Sequence, residues 1–351
     1  MDIDGHKLMY HIPRLCQWLK GENVFPIYIE VSLYDRCNHR CIFCAFDFLK
    51  HKPNILDKDC LKRFILQSAE KGVESILFSG EGEPLLHEDA ADIIAATKKA
   101  GIDAALSTNG VMFNEETSKR TLEYLTWVRV SLDAGTPKTY EVIHRSKKRD
   151  FKTVIRNLEK AVKIRNNNKY RCTIGAQYLL IPQNYQEVTR AARILSGIGV
   201  DYLAIKPYSQ HPSSGNRMQF TLGDKELFYL EERLRRYSKG VFQVIVRRNA
   251  IRKLKEPRPY KKCLGISFAA HLTAGGDLYP CNLFLGSKEF ILGNIYEKTM
   301  EEIWRGERRS SIMRLMDDKW DVKKCRLACR LDEINRYLWE LKNPSSHINF
   351  I

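Results

Sequence analysis

Between residues 27 and 206 the apolar positions fall into short runs and helical stripes that alternate. A run at 27–33 ends in a cysteine-rich loop. From Asp57 the period lengthens. Leu61, Phe64, Ile65 and Ala69 share a helix face, Asp57 suits the N-cap and Gly72 the stop. Further runs at 75–79, 104–107, 127–132, 172–181 and 200–206 read as strands. Segments 88–100 and 115–125 read as helices, as does the stripe Phe151, Val154, Ile155, Leu158 and Val162 behind Asp150. Asn184 and Glu187 have capping-box spacing ahead of another helix.

Six successive strand–helix units predict an α/β fold with a parallel sheet and helices outside, a partial (β/α)6 barrel rather than a closed eight-fold one. Chemistry in such folds sits at the C-terminal ends of the strands. After residue 222 the pattern changes to a charged helix (222–238), an apolar strand (241–247), a hairpin-like FAAHLTAGGDLYPC, and then mostly helices. The expected organisation is a lead-in at 1–26, the barrel at 27–221 and a smaller α+β domain at 222–351.

Composition narrows the class. The 351 residues are 44% hydrophobic and 28% charged, which suits a globular chain. No apolar run reaches the roughly 18 residues of a membrane span, and the N-terminus lacks the apolar core of a secretion signal. A cytoplasmic location is expected, where the ten cysteines serve metal or redox roles rather than disulfides. The net charge of +16 suits RNA, phosphorylated substrates or solubility alone. The basic residues are dispersed and no RNA-binding motif accompanies them, so nucleic acid is not an expected partner.

Cys37, Cys41 and Cys44 follow the first strand as C-x3-C-x2-C. Three thiolates on one loop can hold three corners of a cubane and leave the fourth iron open. A zinc site using His39 and a set of free thiols are the plainer alternatives. With Phe43 before the third cysteine, the loop resembles that of the radical S-adenosylmethionine (SAM) superfamily. The resemblance implies a [4Fe–4S] cluster on the three cysteines and SAM chelated to its open iron. Reductive cleavage then gives methionine and a 5′-deoxyadenosyl radical that takes hydrogen from substrate. It also implies an electron donor such as flavodoxin or ferredoxin.

Carried along the chain, the resemblance assigns Gly80, Glu81, Gly82 and Glu83 of the GEGEP segment to SAM, with Glu83 on its amino group. It assigns Ser107 and Asn109 of STNG, with Ser131 and Asp133, to the ribose or carboxylate. Arg145 would meet the SAM carboxylate, and Gln177 the adenosine. Glycine-turn chemistry for GEGEP and STNG, and a solvated basic loop at 145–149, are the bland alternatives.

Cys263, Cys281, Cys325 and Cys329 form a second set. The first two are spaced C-x12-G-x4-C, and the last two are one helical turn apart, so they can share a helix face. With GNIYEKTMEEIW, the set resembles the C-terminal extension of the SPASM/twitch subgroup. The C-x2-C-x3-C run of the full form is absent, so the shorter twitch form with one auxiliary [4Fe–4S] cluster is implied, zinc being the alternative occupant. Cys16, Cys60 and Cys172 are left as core residues, unless Cys60 or Cys172 donates hydrogen to a substrate radical. Lys206, Tyr208 and His211 end the sixth strand and are candidates for substrate contact. The expected reaction is dehydrogenation of a small carbohydrate-like molecule (a sugar, an aminocyclitol or a nucleotide-linked compound) with the auxiliary cluster as electron acceptor. Epimerisation, peptide or RNA modification, and a non-catalytic metal protein are the alternatives.

Overall fold

The computed structural model describes residues 5–49, 51–218, 220 and 222–350. Ten strands form one sheet: β1 (Tyr28–Val31), β2 (Ser75–Phe78), β3 (Asp103–Thr108), β4 (Leu125–Ser131), β5 (Thr173–Leu180), β6 (Tyr202–Pro207), β7 (Gln243–Val246), β8 (Ala269–Leu272), β9 (Asp277–Tyr279) and β10 (Gly293–Asn294). Their order is β10-β9-β8-β1-β2-β3-β4-β5-β6-β7, and β8 through β7 are mutually parallel. The six expected strands are therefore adjacent in sequence order, as a partial barrel requires.

Alternation along each strand explains the apolar runs. Ile29, Val31, Ile76, Phe78, Leu106, Val128, Val130, Ile174, Leu203 and Ile205 lie beneath the helices, each 0% exposed. The intervening positions face the inside of the curved sheet and include Glu30, Ser107, Arg129, Ser131, Gln177 and Lys206. This lumen face is where polar residues enter the strands.

The sheet runs across position 221: β7 extends the barrel beyond β6, and β8 pairs with β1 at the other edge. Both exposed edges of the six-stranded unit are thereby covered by the C-terminal part. The expected hairpin forms between β8 and β9, with Gly276 at φ +84° and its N–H donating to Thr273 O at 3.0 Å. Near the N-terminal end of β1, Leu8, Leu15, Val24 and Ile27 pack with Phe268 and Leu338, tying the lead-in to the C-terminal helix Asp332–Lys342.

Three local expectations change. A helix at Pro137–His144, capped by Thr136, fills the segment after β4; it is too short to leave a clear apolar stripe. The next helix begins at Lys148, and Asp150 accepts the Lys147 N–H at 3.2 Å from inside its first turn instead of standing at the N-cap. Asn184 and Glu187 do not cap the helix Val188–Ile198. The Asn184 amide donates to Asp133 O (2.7 Å) and Leu179 O (2.8 Å), while Glu187 accepts from Gly135 N–H and the hydroxyls of Thr136 and Thr139. Both residues clamp the exit of β4.

Candidate active site

The cysteine loop leaves β1 and is held from behind by the end of the helix Pro137–His144. Arg40 N–H donates to His144 O at 3.0 Å and Ile42 N–H to Ile143 O at 2.9 Å. His144, a residue that sequence reasoning passed over, is buried with Nδ1 3.1 Å from Cys41 Sγ and Nε2 3.2 Å from Leu132 O. Burial pushes the His144 imidazole down to about 3, so it is neutral. While Cys41 carries its proton, one tautomer satisfies both contacts: Nε2–H donates to the Leu132 carbonyl, and bare Nδ1 receives the Cys41 S–H. Its only sequence signal was its place beside Arg145.

Burial raises all three thiols, Cys37 to about 11, and the neighbouring sulfurs raise Cys37 and Cys41 further. Three such groups cannot ionise together without a cationic centre, so the donor set fits an iron–sulfur cluster. Among the described residues, the one group of three or more His, Cys, Asp or Glu whose ligand atoms all lie within 4.8 Å of one another is His39, Cys41 and His144. That trio uses only one of the three cysteines, and its imidazoles lie beneath the loop, where they back Cys41.

The GEGEP segment packs on the entry to this loop. A Cβ on Gly80 (φ +104°) would fall 1.9 Å from Ser32 Oγ, and one on Gly82 would fall 2.3 Å from Arg36 O and 2.4 Å from Tyr34 O. Backbone oxygens cannot swing aside as a flexible side chain can. We expect Gly82→Ala to cost about 2 kcal/mol and to lower the iron bound by the first triplet, read by denaturant unfolding and iron assay; unchanged iron would show that the loop tolerates the shift.

Glu83, expected on the SAM amino group, is turned into the protein instead. It is 2% exposed and accepts from Thr108 Oγ1 (2.6 Å), Asn109 N–H (2.8 Å) and Leu85 N–H (3.1 Å). It joins the ends of β2 and β3. Glu81 reaches the β8–β9 turn, where Ala274 N–H donates to it at 3.0 Å, and burial raises its pKa to about 7. The folded state then holds this proton beyond the ordinary value of 4.5, so stability falls as pH climbs from 4.5 to about 7 and levels above. The decline is at most about 3 kcal/mol, reduced because Glu81 is only partly buried. Unfolding midpoints across that window should flatten in Glu81→Gln; parallel profiles would assign the pH dependence elsewhere.

Asn109 does meet the loop: its amide donates to Asn38 Oδ1 at 2.6 Å and lies 3.9 Å from Cys37 Sγ. Ser107, Ser131 and Gln177 are half-buried on the lumen face. Asp133 is a correction. It is 0% exposed, in left-handed backbone (φ +52°), with one oxygen accepting Leu179 N–H at 2.6 Å. A carboxylate so enclosed cannot reach a ribose; it links β4 to β5. Arg145 is exposed and closes the helix Pro137–His144 in left-handed conformation (φ +45°).

Of the substrate candidates, Lys206 is the one that strand alternation puts on the lumen face. Tyr208 is buried with its hydroxyl donating to Gln210 Oε1 at 2.8 Å, and His211 is stacked on Phe48 at 4.8 Å. They dock the exit of β6 on the cysteine-loop extension. Cys172 precedes the first residue of β5, at the end opposite the cysteine loop, which removes it from the reach of a substrate there. Cys60 is buried in the helix Lys58–Glu70 with its S–H toward Ile295 O.

The thiols of the second cysteine set lie near enough to act on one another, but no three of their sulfurs fall within 4.8 Å of one another among the described residues. Burial pushes Cys263 up to about 12 and raises Cys281, Cys325 and Cys329; the other thiols of the set raise Cys263 and Cys281 further. Asn335 Nδ2 (3.6 Å), Leu283 N–H (3.5 Å) and Trp320 Nε1 (3.3 Å) point at Cys263, Cys281 and Cys325. Such donors suit thiolates bound to a cluster. Cys325 and Cys329 do not share a helix face. They lie in a loop after the short helix Val322–Lys324, its carbonyls gathered by Arg258 (Val322 O and Arg326 O), and a loop can wrap two sulfurs about one centre.

Two family models cover the segments that carry the two cysteine sets. Residues 31–195 match the Radical SAM superfamily, and residues 263–330 match the SPASM iron–sulfur cluster-binding domain. A Pyrococcus furiosus tungsten-containing aldehyde ferredoxin oxidoreductase cofactor-modifying protein is 26% identical over 80% of this chain and 81% of its own. The GTP 3′,8-cyclase of Aquifex aeolicus is 32% identical over 49% of this chain and 53% of its own. Streptococcus suis SuiB bound to S-adenosylmethionine superposes with a TM-score of 0.66 at 18% identity, over 87% of this chain and 72% of that one. The two matched domains imply a SAM-binding [4Fe–4S] cluster and an auxiliary cluster. The chain belongs to the radical SAM superfamily, as a member with a C-terminal SPASM iron–sulfur cluster-binding domain.

Proposed function

We propose that this radical SAM enzyme oxidises a small substrate held in the barrel lumen, beneath the loop that carries Cys325 and Cys329. The observation that carries the reading is the docking of that loop on the barrel mouth. Ala328 N–H donates to Ser209 Oγ at 3.1 Å, and Arg330 pairs with Glu30 of β1 at 2.8 Å. This docking supports a redox centre on those cysteines that lies beside the lumen, as an electron acceptor must.

In this reading Cys37, Cys41 and Cys44 hold the cluster that supplies SAM cleavage and hydrogen abstraction, fed by a flavodoxin- or ferredoxin-type donor. Cys263, Cys281, Cys325 and Cys329 hold a single auxiliary cluster that takes the electron left on the substrate. Around these groups the chain's own work is positioning. Asn109 steadies the first loop, His144 backs Cys41, and Ser107, Ser131 and Gln177 line the wall on which SAM lies. The boundary at 221 divides the chain by task, SAM chemistry before it and electron acceptance after it. Closure by Arg330 and Ala328 favours a compact, carbohydrate-like molecule over an extended chain.

The reading is tested by incubating the reduced, reconstituted protein with SAM and a panel of sugars, aminocyclitols, nucleotides and short peptides. One 5′-deoxyadenosine per two-electron-oxidised product is expected. Product inverted at carbon without oxidation would replace this reading with epimerisation, and turnover confined to peptides would replace the substrate class.

A further inference from the structure

The lumen holds a group of basic side chains to which the reaction above gives no task. Arg129 of β4 and Lys206 of β6 point inward, and Arg247 follows β7, its N–H donating to Ile205 O at 2.9 Å, which sets it beside Lys206. Arg326 enters the same space from the Cys325–Cys329 loop, close enough for its charge to disfavour protonation of Lys206. Ser107, Arg129, Gly175 and Tyr202 form one row across β3 to β6. A Cβ at position 175 would meet the Tyr202 ring at 2.2 Å, so the glycine makes room for the ring beside Arg129.

The Nε atoms of Arg129 and Arg326 are buried without a hydrogen-bond partner. Among the described residues no carboxylate lies within ion-pair distance of Arg129, Lys206 or Arg326. Glu30 pairs with Arg330, and Asp133, whose second oxygen is buried without a hydrogen-bond partner, favours the charge on Lys206 without forming an ion pair with it. Burial depresses Lys206 strongly and Arg129 less, and the charges of Arg129, Arg326 and Arg247 depress Lys206 further. Gathering like charges in a partly buried cavity destabilises the fold, and the arrangement makes sense when a ligand brings the counter-charge. SAM can offer one carboxylate to one of these cations, but its sulfonium and ammonium leave it without the net negative charge that the whole group calls for. Arg330 and Arg326 flank Cys329 and can offset part of an auxiliary cluster's charge, but Arg129 and Lys206 stand on the barrel strands.

We propose that the substrate is a phosphorylated small molecule whose phosphate or diphosphate is gripped in the lumen by Arg129, Lys206 and Arg326, with Arg247 beside them. Guanidinium forks match phosphate oxygens two at a time, and the Lys206 ammonium adds a point charge. This inference rests on the lumen being the substrate chamber, and it names the class of molecule placed there.

The test titrates the cluster-loaded protein with inorganic pyrophosphate in the presence of SAM, at constant ionic strength and without oxygen, by calorimetry. Saturable binding at one site is expected, with proton uptake as Lys206 gains its charge. Arg129→Gln and Arg247→Gln should each weaken binding by about tenfold or more, and Lys206→Met should remove the proton uptake. Arg171→Gln, at an exposed position ahead of β5, should bind as wild type does. Equal affinity in wild type and Arg247→Gln overturns the proposal, as does an equal loss in Arg171→Gln or tighter binding of citrate than of pyrophosphate. If Arg129→Gln fails to fold, Arg247→Gln and Lys206→Met decide. A wild type that cleaves SAM but ignores pyrophosphate overturns the phosphate site alone, whereas one that never cleaves SAM overturns the enzyme reading itself.

Discussion

Cys41→Ala is expected to reduce SAM cleavage to background and to lower iron from about eight to about four per chain, with sulfide falling in step. Cys41 has the most demanding surroundings of the first triplet. Its sulfur is 3.1 Å from His144 Nδ1, and the loop around it is bonded to the end of the helix Pro137–His144 through Arg40 and Ile42. Alanine removes one of three ligands and leaves His144 Nδ1 facing a void. The remaining pair, Cys37 and Cys44, cannot keep a cubane in place while one iron stays open. The auxiliary set is carried by different elements, so its iron should persist and serve as the internal standard. Anaerobic iron and sulfide assays, with 5′-deoxyadenosine quantified by chromatography, decide the matter. Retention of SAM cleavage in this variant would remove the triplet from the chemistry; loss of all iron would mean that the two centres assemble together.

The barrel was legible because its outer face is uniformly apolar. Ile76 and Phe78, or Leu203 and Ile205, pack on helices and have no alternative solvent-facing role. The cysteines were legible because their spacing fits few other uses. The acids were not. Glu83 and Asp133 stand at strand ends, where a carboxylate meets either a ligand or the neighbouring strand's backbone, and sequence does not distinguish the two. Here the unpaired N–H groups of Asn109 and Leu179 claimed them. His144 needed an unforeseen helix to bring it 103 residues back to Cys41. The pairing of β8 with β1 joins segments too distant in sequence for local patterning to reveal. The basic lumen was invisible for a related reason: Arg326 and Arg330 read as ordinary surface charges until the Cys325–Cys329 loop folds over the barrel mouth.

Cys281→Ala separates the two halves of the proposed reaction. It should leave SAM reduction and cleavage in place, lower iron by about four per chain, and abolish conversion of substrate. Cys281 receives the Leu283 N–H at 3.5 Å at the start of the short helix Asn282–Phe284. That helix packs by Phe284 against Phe290 and Trp320, whose indole donates to Cys325. The aromatic cluster should keep the local fold while the ligand set drops from four sulfurs to three. What would be lost is the acceptor beside the lumen, so 5′-deoxyadenosine should still form without matching oxidised product. Iron content equal to wild type would show that Cys281 is no ligand. Full oxidation with four irons missing would show that the electron leaves by another route, and the docking of the Cys325–Cys329 loop through Ala328 and Arg330 would then serve only to close the lumen.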